Sequence, residues 1–188
     1  MVYDKIIVGK FVDLRSITPD DAEFSYNIRA DKRNKDTVGQ LAESVDAQRR
    51  YIENQMQKPD DYYFVVLNKK GERIGLIGVY DIKEDIAEVG REVNIGEPME
   101  TMEVGFLMNK FCIEVLGISR ICYVIYDNNP KHLSDAIKRG GIYMRDEMRG
   151  THRALYFEQN ITEENETVQK IRKMIDKMYD MKMKTQGE

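Results

Sequence analysis

Between residues 62 and 94 three runs of strand-forming residues, 62–67, 73–81 and 86–94, follow one another with only short breaks. The first break, Asn68-Lys69-Lys70-Gly71, has the composition of a hairpin turn, so the three runs are expected to form an antiparallel meander. The rest of the chain must be arranged around this unit. Upstream, Phe11-Val-Asp-Leu-Arg15 alternates like a strand. Thr18-Pro19-Asp20-Asp21 then offers an N-cap, a proline at the first helical position and acidic residues for a helix running to about Ala30. Ser44 caps a second helical pattern in which Val45, Ile52 and Met56 share one side, ending before Pro59.

Downstream, residues 99–116 place Met102, Phe106, Leu107, Phe111, Ile113 and Leu116 at helical spacing, and Gly117 closes the segment. Residues 121–126 read as a strand. Pro130 opens a helix carrying Leu133, Ala136, Ile137 and Gly140 on one side, and two strand-like stretches, 142–148 and 153–158, follow. The order β-α-α-β-β-β-α-β-α-β-β implies an α/β (α+β) domain over residues 1–161, with a mixed, mostly antiparallel central sheet flanked by helices. Residues 162–188 form an extra C-terminal amphipathic helix that starts at Thr162, with Glu163, Glu164 and Glu166 in its first turn and Lys182 and Lys184 near its end. Its apolar side, Val168, Ile171, Met174 or Ile175, Met178 and Met181, either folds back on the same domain or pairs with a second copy in a homodimer.

Composition excludes several functions. With 29 basic against 33 acidic residues, a net charge of -4 and a pI near 5.4, the chain has no basic field to hold a nucleic-acid backbone. Its apolar runs are too short to span a membrane, and the N-terminus lacks the apolar core of a secretion signal, so a cytoplasmic location is expected. Cys112 and Cys122 are expected to be buried small hydrophobes, and no Cys/His spacing fits a metal. His132 and His152 have no nucleophile or ligand partner in sequence, which removes hydrolase triads from consideration.

The strings Leu14-Arg15 with Thr18-Pro-Asp-Asp-Ala22, Gly71-Glu-Arg-Ile-Gly-Leu-Ile-Gly78, Ala87-Glu-Val-Gly-Arg91, Leu116-Gly-Ile118 and Asn129, in that order, resemble the GNAT superfamily of acetyl-CoA-dependent N-acetyltransferases over residues 10–158. The similarity extends to the branch acting on ribosomal proteins and polyamines. Asp61-Tyr-Tyr-Phe64 and Val79-Tyr-Asp-Ile82 resemble its nucleotide-sugar-linked relatives. The resemblance implies two neighbouring strands, here 86–94 and 121–126, that part to admit the pantetheine arm of acetyl-CoA. It assigns cofactor contacts to Val93, Asn94, Ile95, Gly96, Met102, Glu103 and Asn129, and acceptor contacts to Arg29, Tyr80 and Asp81. Where the family carries Arg or Gln then x-x-Gly-x-Gly or Ala, this chain reads Ile95-Gly96-Glu97-Pro98-Met99-Glu100-Thr101-Met102-Glu103, with three glutamates competing for the helix dipole.

The acceptor amine must lose a proton before it can attack. The family often places a glutamate early on the strand that begins here at residue 86, and the matching base is Glu88, with Asp81 and Glu92 behind it. Strand alternation puts Glu88, Gly90 and Glu92 on one face and Val89, Arg91 and Val93 on the other. The family's frequent general acid, a tyrosine seven residues after the asparagine, falls on Ala136, which leaves Tyr126, Tyr143 or a water to protonate the leaving thiolate. Two functional readings follow. One is transfer of acetyl from acetyl-CoA, as cosubstrate and without a metal, to a primary amine of a small molecule such as a nucleotide-linked amino sugar. The other is a GNAT-fold ligand-binding or interaction module that has lost catalysis.

Overall fold

The computed structural model describes residues 1–34, 41–162 and 164–186, so the expected place of Glu163 in the last helix lies outside the described residues. The strands are β1 (Ile7–Val8), β2 (Val12–Ser16), β3 (Tyr62–Asn68), β4 (Arg73–Lys83), β5 (Ile86–Asn94), β6 (Arg120–Tyr126), β7 (Ile142–Arg149) and β8 (His152–Asn160). The helices are α1 (Ala22–Ala30), α2 (Val45–Gln57), α3 (Pro98–Glu114), α4 (Pro130–Lys138) and α5 (Glu166–Gln186), and a 3-10 turn, Pro19–Asp21, precedes α1. One sheet runs in the order β1-β2-β3-β4-β5-β6-β8-β7. Among the described residues, only the β5/β6 pair is parallel.

Alternation along β3 shows how the layers form. Phe64 and Val66 point into a core with Leu107, Met108 and Phe111 of α3 and Ile175 of α5. Tyr63 and Val65 point the other way, into a core with Ile28 of α1 and Ile52 of α2. The central strands are thus covered on both faces, and Tyr63 is fully buried. The Leu14-Arg15 string and the acidic helix start are one device. Arg15 holds the buried Asp21 through two hydrogen bonds of 2.7 and 2.8 Å, and Asp21 also accepts the Thr18 N–H.

The C-terminal helix departs from expectation at its start. Thr162 gives both its N–H and its hydroxyl to the Asn160 side chain, and α5 begins only after Asn165 caps the Thr167 N–H. It folds back on its own domain through Val168, Ile171, Ile175 and Tyr179, the last edge-on to Phe11, while Met174, Met178 and Met181 stay exposed. The expected stripe holds through Val168, Ile171 and Ile175 and then drifts by one residue, Tyr179 rather than Met178 facing the domain. No helix among the described residues is long and apolar enough to cross a membrane.

Candidate active site

The sheet opens at its one parallel seam. β5 and β6 pair at Ile86 with Arg120, Ala87 with Ile121 and Glu88 with Cys122, and from Val89 onward they separate. The device is a β-bulge inside β5: the β4 partners jump from Gly90 opposite Gly78 to Val93 opposite Leu76, and Arg91 takes a left-handed φ of 54°. The bulge also breaks the alternation expected from sequence. Val89 packs on the α3 side, whereas Val93 turns into the α1/α2 core, so Glu92 does not simply repeat the facing of Glu88. Gly96 and Pro98 mark only the end of the strand.

A cleft of about 370 Å³ fills the opening. Of the residues expected to serve the site, Glu88, Tyr126, Met102, Asn129, Arg29 and Tyr80 line it. The Tyr80 hydroxyl donates to Glu88 Oε1 at 2.8 Å, which fixes the carboxylate at the apex where the two strands part. Burial, then the Glu88 charge, raise the Tyr80 pKa, so this phenol stays protonated and remains the donor. Gly90 leaves room beneath it, since a Cβ there would press on the Tyr80 hydroxyl and displace it from its place beside Glu88.

Arg91, absent from the sequence-based site, organises this wall. It makes hydrogen bonds of 2.5 and 2.9 Å to Asp61, and its guanidinium lies 4.1 Å from the Tyr80 ring centre. Burial pushes the Asp61 carboxyl up, but Arg91 and Gln55 outweigh it and hold it below the ordinary carboxylate range. A carboxylate with a depressed pKa stabilises the fold above its unfolded value, near 3.9, and that contribution is lost as pH falls through the folded value. Arg91→Leu should therefore cost about 3–5 kcal/mol at pH 7, and the gap to wild type should narrow in urea titrations below about pH 4. A gap that stays constant with pH would detach the effect from Asp61.

Other expected site residues are engaged elsewhere. The Glu103 carboxylate is buried and accepts the backbone N–H groups of Lys10, Phe11 and Val12 at 2.7, 2.6 and 2.9 Å, so it braces the β1–β2 turn and does not line the cleft. Asp81 sits exposed at a left-handed position, outside the cleft lining. Val93 and Asn94 pair with β4, and the Ile95 N–H donates to the Ile74 carbonyl. Gly96 donates to Asn94 Oδ1 at 2.7 Å, whereas Asn94 Nδ2 is shut from solvent with no partner among the described residues. At the start of α3, Glu100 accepts the Glu97 N–H at 2.8 Å, so a side chain of the helix itself occupies the end where the family holds a pyrophosphate.

Two further residues carry no signal that sequence spacing could reveal. Arg139, at the end of α4, lies over Gly105 of α3 and lines the cleft without a hydrogen-bond or ion-pair partner among the described residues. Tyr123 lines it too, its hydroxyl turned toward Gly141 near Ala136 and left without a partner, and burial pushes its pKa up to about 12. Cys122, expected to be buried, is half-buried opposite Glu88. Burial and the neighbouring Glu88 push its thiol up to about 11, so it carries little thiolate at neutral pH.

Comparison with known proteins places this geometry. The chain matches the family model described as Acetyltransferase (GNAT) domain over residues 12–134, about two thirds of its length. Among solved structures it is similar to a GCN5-related N-acetyltransferase from Brucella melitensis, with a TM-score of 0.77 and 15% identity over 92% of this chain and 86% of that one. It is also similar to apo FdhC, a nucleotide-linked sugar GNAT (TM-score 0.69, 16% identity, 90% of this chain and 94% of that one). A spermidine N-acetyltransferase chimera involving Vibrio cholerae follows, with a TM-score of 0.70 and 16% identity over 80% of this chain and 95% of that one. No match is found among proteins of curated function. At these identities the solved structures speak for the fold, and the family model, covering most of the chain and the parting strands, shows that this protein belongs to the GNAT acetyltransferases.

Proposed function

We propose that this protein is a cytoplasmic N-acetyltransferase that moves an acetyl group from acetyl-CoA directly to a primary amine of a small molecule, with nucleotide-linked amino sugars as the acceptor class. The observation that carries this reading is the Glu88 carboxylate, fixed by Tyr80 at the apex of the opening between β5 and β6. A protonated amine cannot attack, and freeing its lone pair at pH 7 costs from about 1 kcal/mol for an amine titrating near 7.7–8.0 to about 4.6 kcal/mol for a lysine-like one, so a base at the apex of the opening serves the chemistry. Acetyl-CoA supplies the acetyl group as an activated thioester. The unpaired edge of β5 and Asn129 would hold its arm, with Arg139 as the cation available to its phosphates. Tyr126, across the cleft, is the candidate proton donor to the departing thiolate. The protonated state of Cys122 speaks against an acyl-cysteine intermediate and for transfer within a ternary complex.

Thiol release from acetyl-CoA, measured with free and nucleotide-linked amino sugars, polyamines and peptides, tests this function, and the sugars are expected to be the substrates. Binding of CoA without thiol release for any acceptor would favour the non-catalytic module, the reading that the Glu100 cap on α3 otherwise supports. The cap makes its own prediction. Glu100→Gln keeps an acceptor for the Glu97 N–H while removing a negative charge from the helix end, so CoA should bind about 2- to 5-fold more tightly by calorimetry. Unchanged affinity would place the phosphates away from this helix end.

A further inference from the structure

Resting on the reading of Glu88 and the β5/β6 opening as the place of transfer, we infer that the donor this protein favours carries an acyl group longer than acetyl, and that Gln159 reads a hydrogen-bonding group on it from an inner chamber of the cleft. The cleft does not end at the apex, where Glu88 pairs with Cys122. One step further in, Ala87 pairs with Ile121, and Ile121 still lines the cleft. Alternation turns Ile121 away from the face of Glu88 and toward α3, where it packs in one core with Ile77 and Met108. Both of these line the cleft as well, and Val168 and Ile171 of α5 close it on the helix side. Gln159 of β8 stands directly opposite Ile121 and lines the same space. Val168 and Ile171 lie beyond the residues that match the family model, so membership of the family does not by itself supply this chamber.

The thioester carbonyl must stand at the apex if its carbon is to meet an amine that gives its proton to Glu88, and the donor's arm reaches it from the open end of the strands. The space beyond the apex is then left to whatever the carbonyl carries. A methyl group leaves most of it unfilled, whereas methylene groups gain contacts with the buried side chains of Ile77, Met108, Ile121 and Val168. Gln159 sets the polarity of this end. It is only 4% exposed, yet its side-chain amide makes no hydrogen bond among the described residues. Buried amides are nearly always hydrogen-bonded, because an unmade bond forfeits those made in water, and a ligand group beside Gln159 restores the missing partner. An amide has no charge to offset a buried carboxylate, so the group it reads is neutral, such as a hydroxyl. The transfer step keeps its balance: the bond from nitrogen to the carbonyl carbon forms, the carbon–sulfur bond breaks with its electron pair on sulfur, Glu88 takes the amine proton, and the thiolate takes up a proton in turn.

Calorimetry with acetyl-CoA, butyryl-CoA and 3-hydroxybutyryl-CoA, which differ only in the acyl group, tests the chamber without an acceptor. Butyryl-CoA should bind the wild type more tightly than acetyl-CoA by about 4-fold for each of its two extra methylenes, and the hydroxyl should add roughly 5-fold. Gln159→Leu, which keeps the bulk and removes the amide, should erase the gain from the hydroxyl and retain the gain from the methylenes. Ile171→Phe, which fills the chamber from its half-buried wall, should weaken butyryl-CoA by a larger factor than acetyl-CoA. Equal or weaker binding of the longer donors by the wild type, or a hydroxyl gain that survives Gln159→Leu, would overturn the inference. Thiol release from acetyl-CoA with the longer donors inert would likewise overturn it while leaving the enzyme reading intact. Selective, Gln159-dependent binding of the hydroxyacyl donor without thiol release for any acceptor would support the chamber and sink the enzyme reading instead.

Discussion

Replacing Glu88 with glutamine should lower turnover near neutral pH by roughly 10²-fold or more for a basic amine, while CoA binding is retained. Glutamine preserves the size of the side chain and can still accept the Tyr80 hydroxyl, which is 2.8 Å from Oε1 in the native protein, so the geometry of the apex is kept and the base alone is lost. A factor of 10² corresponds to about 2.7 kcal/mol, within the cost of about 4.6 kcal/mol for deprotonating a lysine-like amine at pH 7. The defect should therefore shrink as pH rises toward the pKa of the acceptor, where the amine supplies its own lone pair. For an amine that titrates near 7.7 to 8.0, like an α-amino group, the loss should be smaller at every pH. Steady-state rates from pH 6.5 to 9.5 with one acceptor of each kind decide the matter. If the glutamine variant keeps wild-type turnover throughout, Glu88 is not the base, and Glu92, which also lines the cleft, becomes the group to replace.

Glu103→Ala should be among the most destabilising single changes in the protein, at about 3–6 kcal/mol, with the melting temperature lowered by roughly 10 °C or more. Three N–H groups, those of Lys10, Phe11 and Val12, lose their acceptor together, and two of the three bonds are fully buried. Each donor left without a partner costs about 1–3 kcal/mol. The turn they belong to is built around the carboxylate: a Cβ at Gly9 would lie 2.7 Å from Glu103 Oε2 and 2.6 Å from the Val12 carbonyl, so the chain cannot close over the carboxylate with any larger residue. Thermal melts and CoA titrations separate the two roles this residue could have. Normal stability with weakened CoA binding would return Glu103 to the cofactor site that the family resemblance implied; lost stability with CoA binding retained in the folded fraction identifies it as the brace between α3 and β2.

The elements legible in the sequence are those written in local periodicity and local chemistry. The meander of β3, β4 and β5 follows from alternation and from the Asn68 to Gly71 turn, where Gly71 adopts the expected left-handed backbone at a φ of 80°. Ser44 caps α2 through the Ala47 N–H, and Pro98 and Pro130 start their helices, because capping is decided within four residues of the chain. Of the site residues named from the family resemblance, Glu88, Tyr126, Met102, Asn129, Arg29, Tyr80 and the reserve base Glu92 line the cleft. What lay beyond reach depends on which distant groups the sheet brings together. Arg91 is thirty residues from Asp61, and Glu103 more than ninety from the turn it braces; no spacing rule links such partners before β3 lies beside β4 and α3 crosses β2. The bulge at Arg91 likewise needs the β4 register to exist. It reverses the facing of the residues that follow, which is why alternation alone misplaced Glu92. The sequence by itself determined the order of the main elements and the carboxylate at the head of β5, because these rest on local backbone preference and residue type, whereas the two-residue β1, which the sequence did not show, exists only through its pairing with β2. Only the tertiary structure decided which arginine is paired, which is left open to a ligand, and which glutamate serves stability, because the state of a charged side chain is set by whatever packs within hydrogen-bond reach of it.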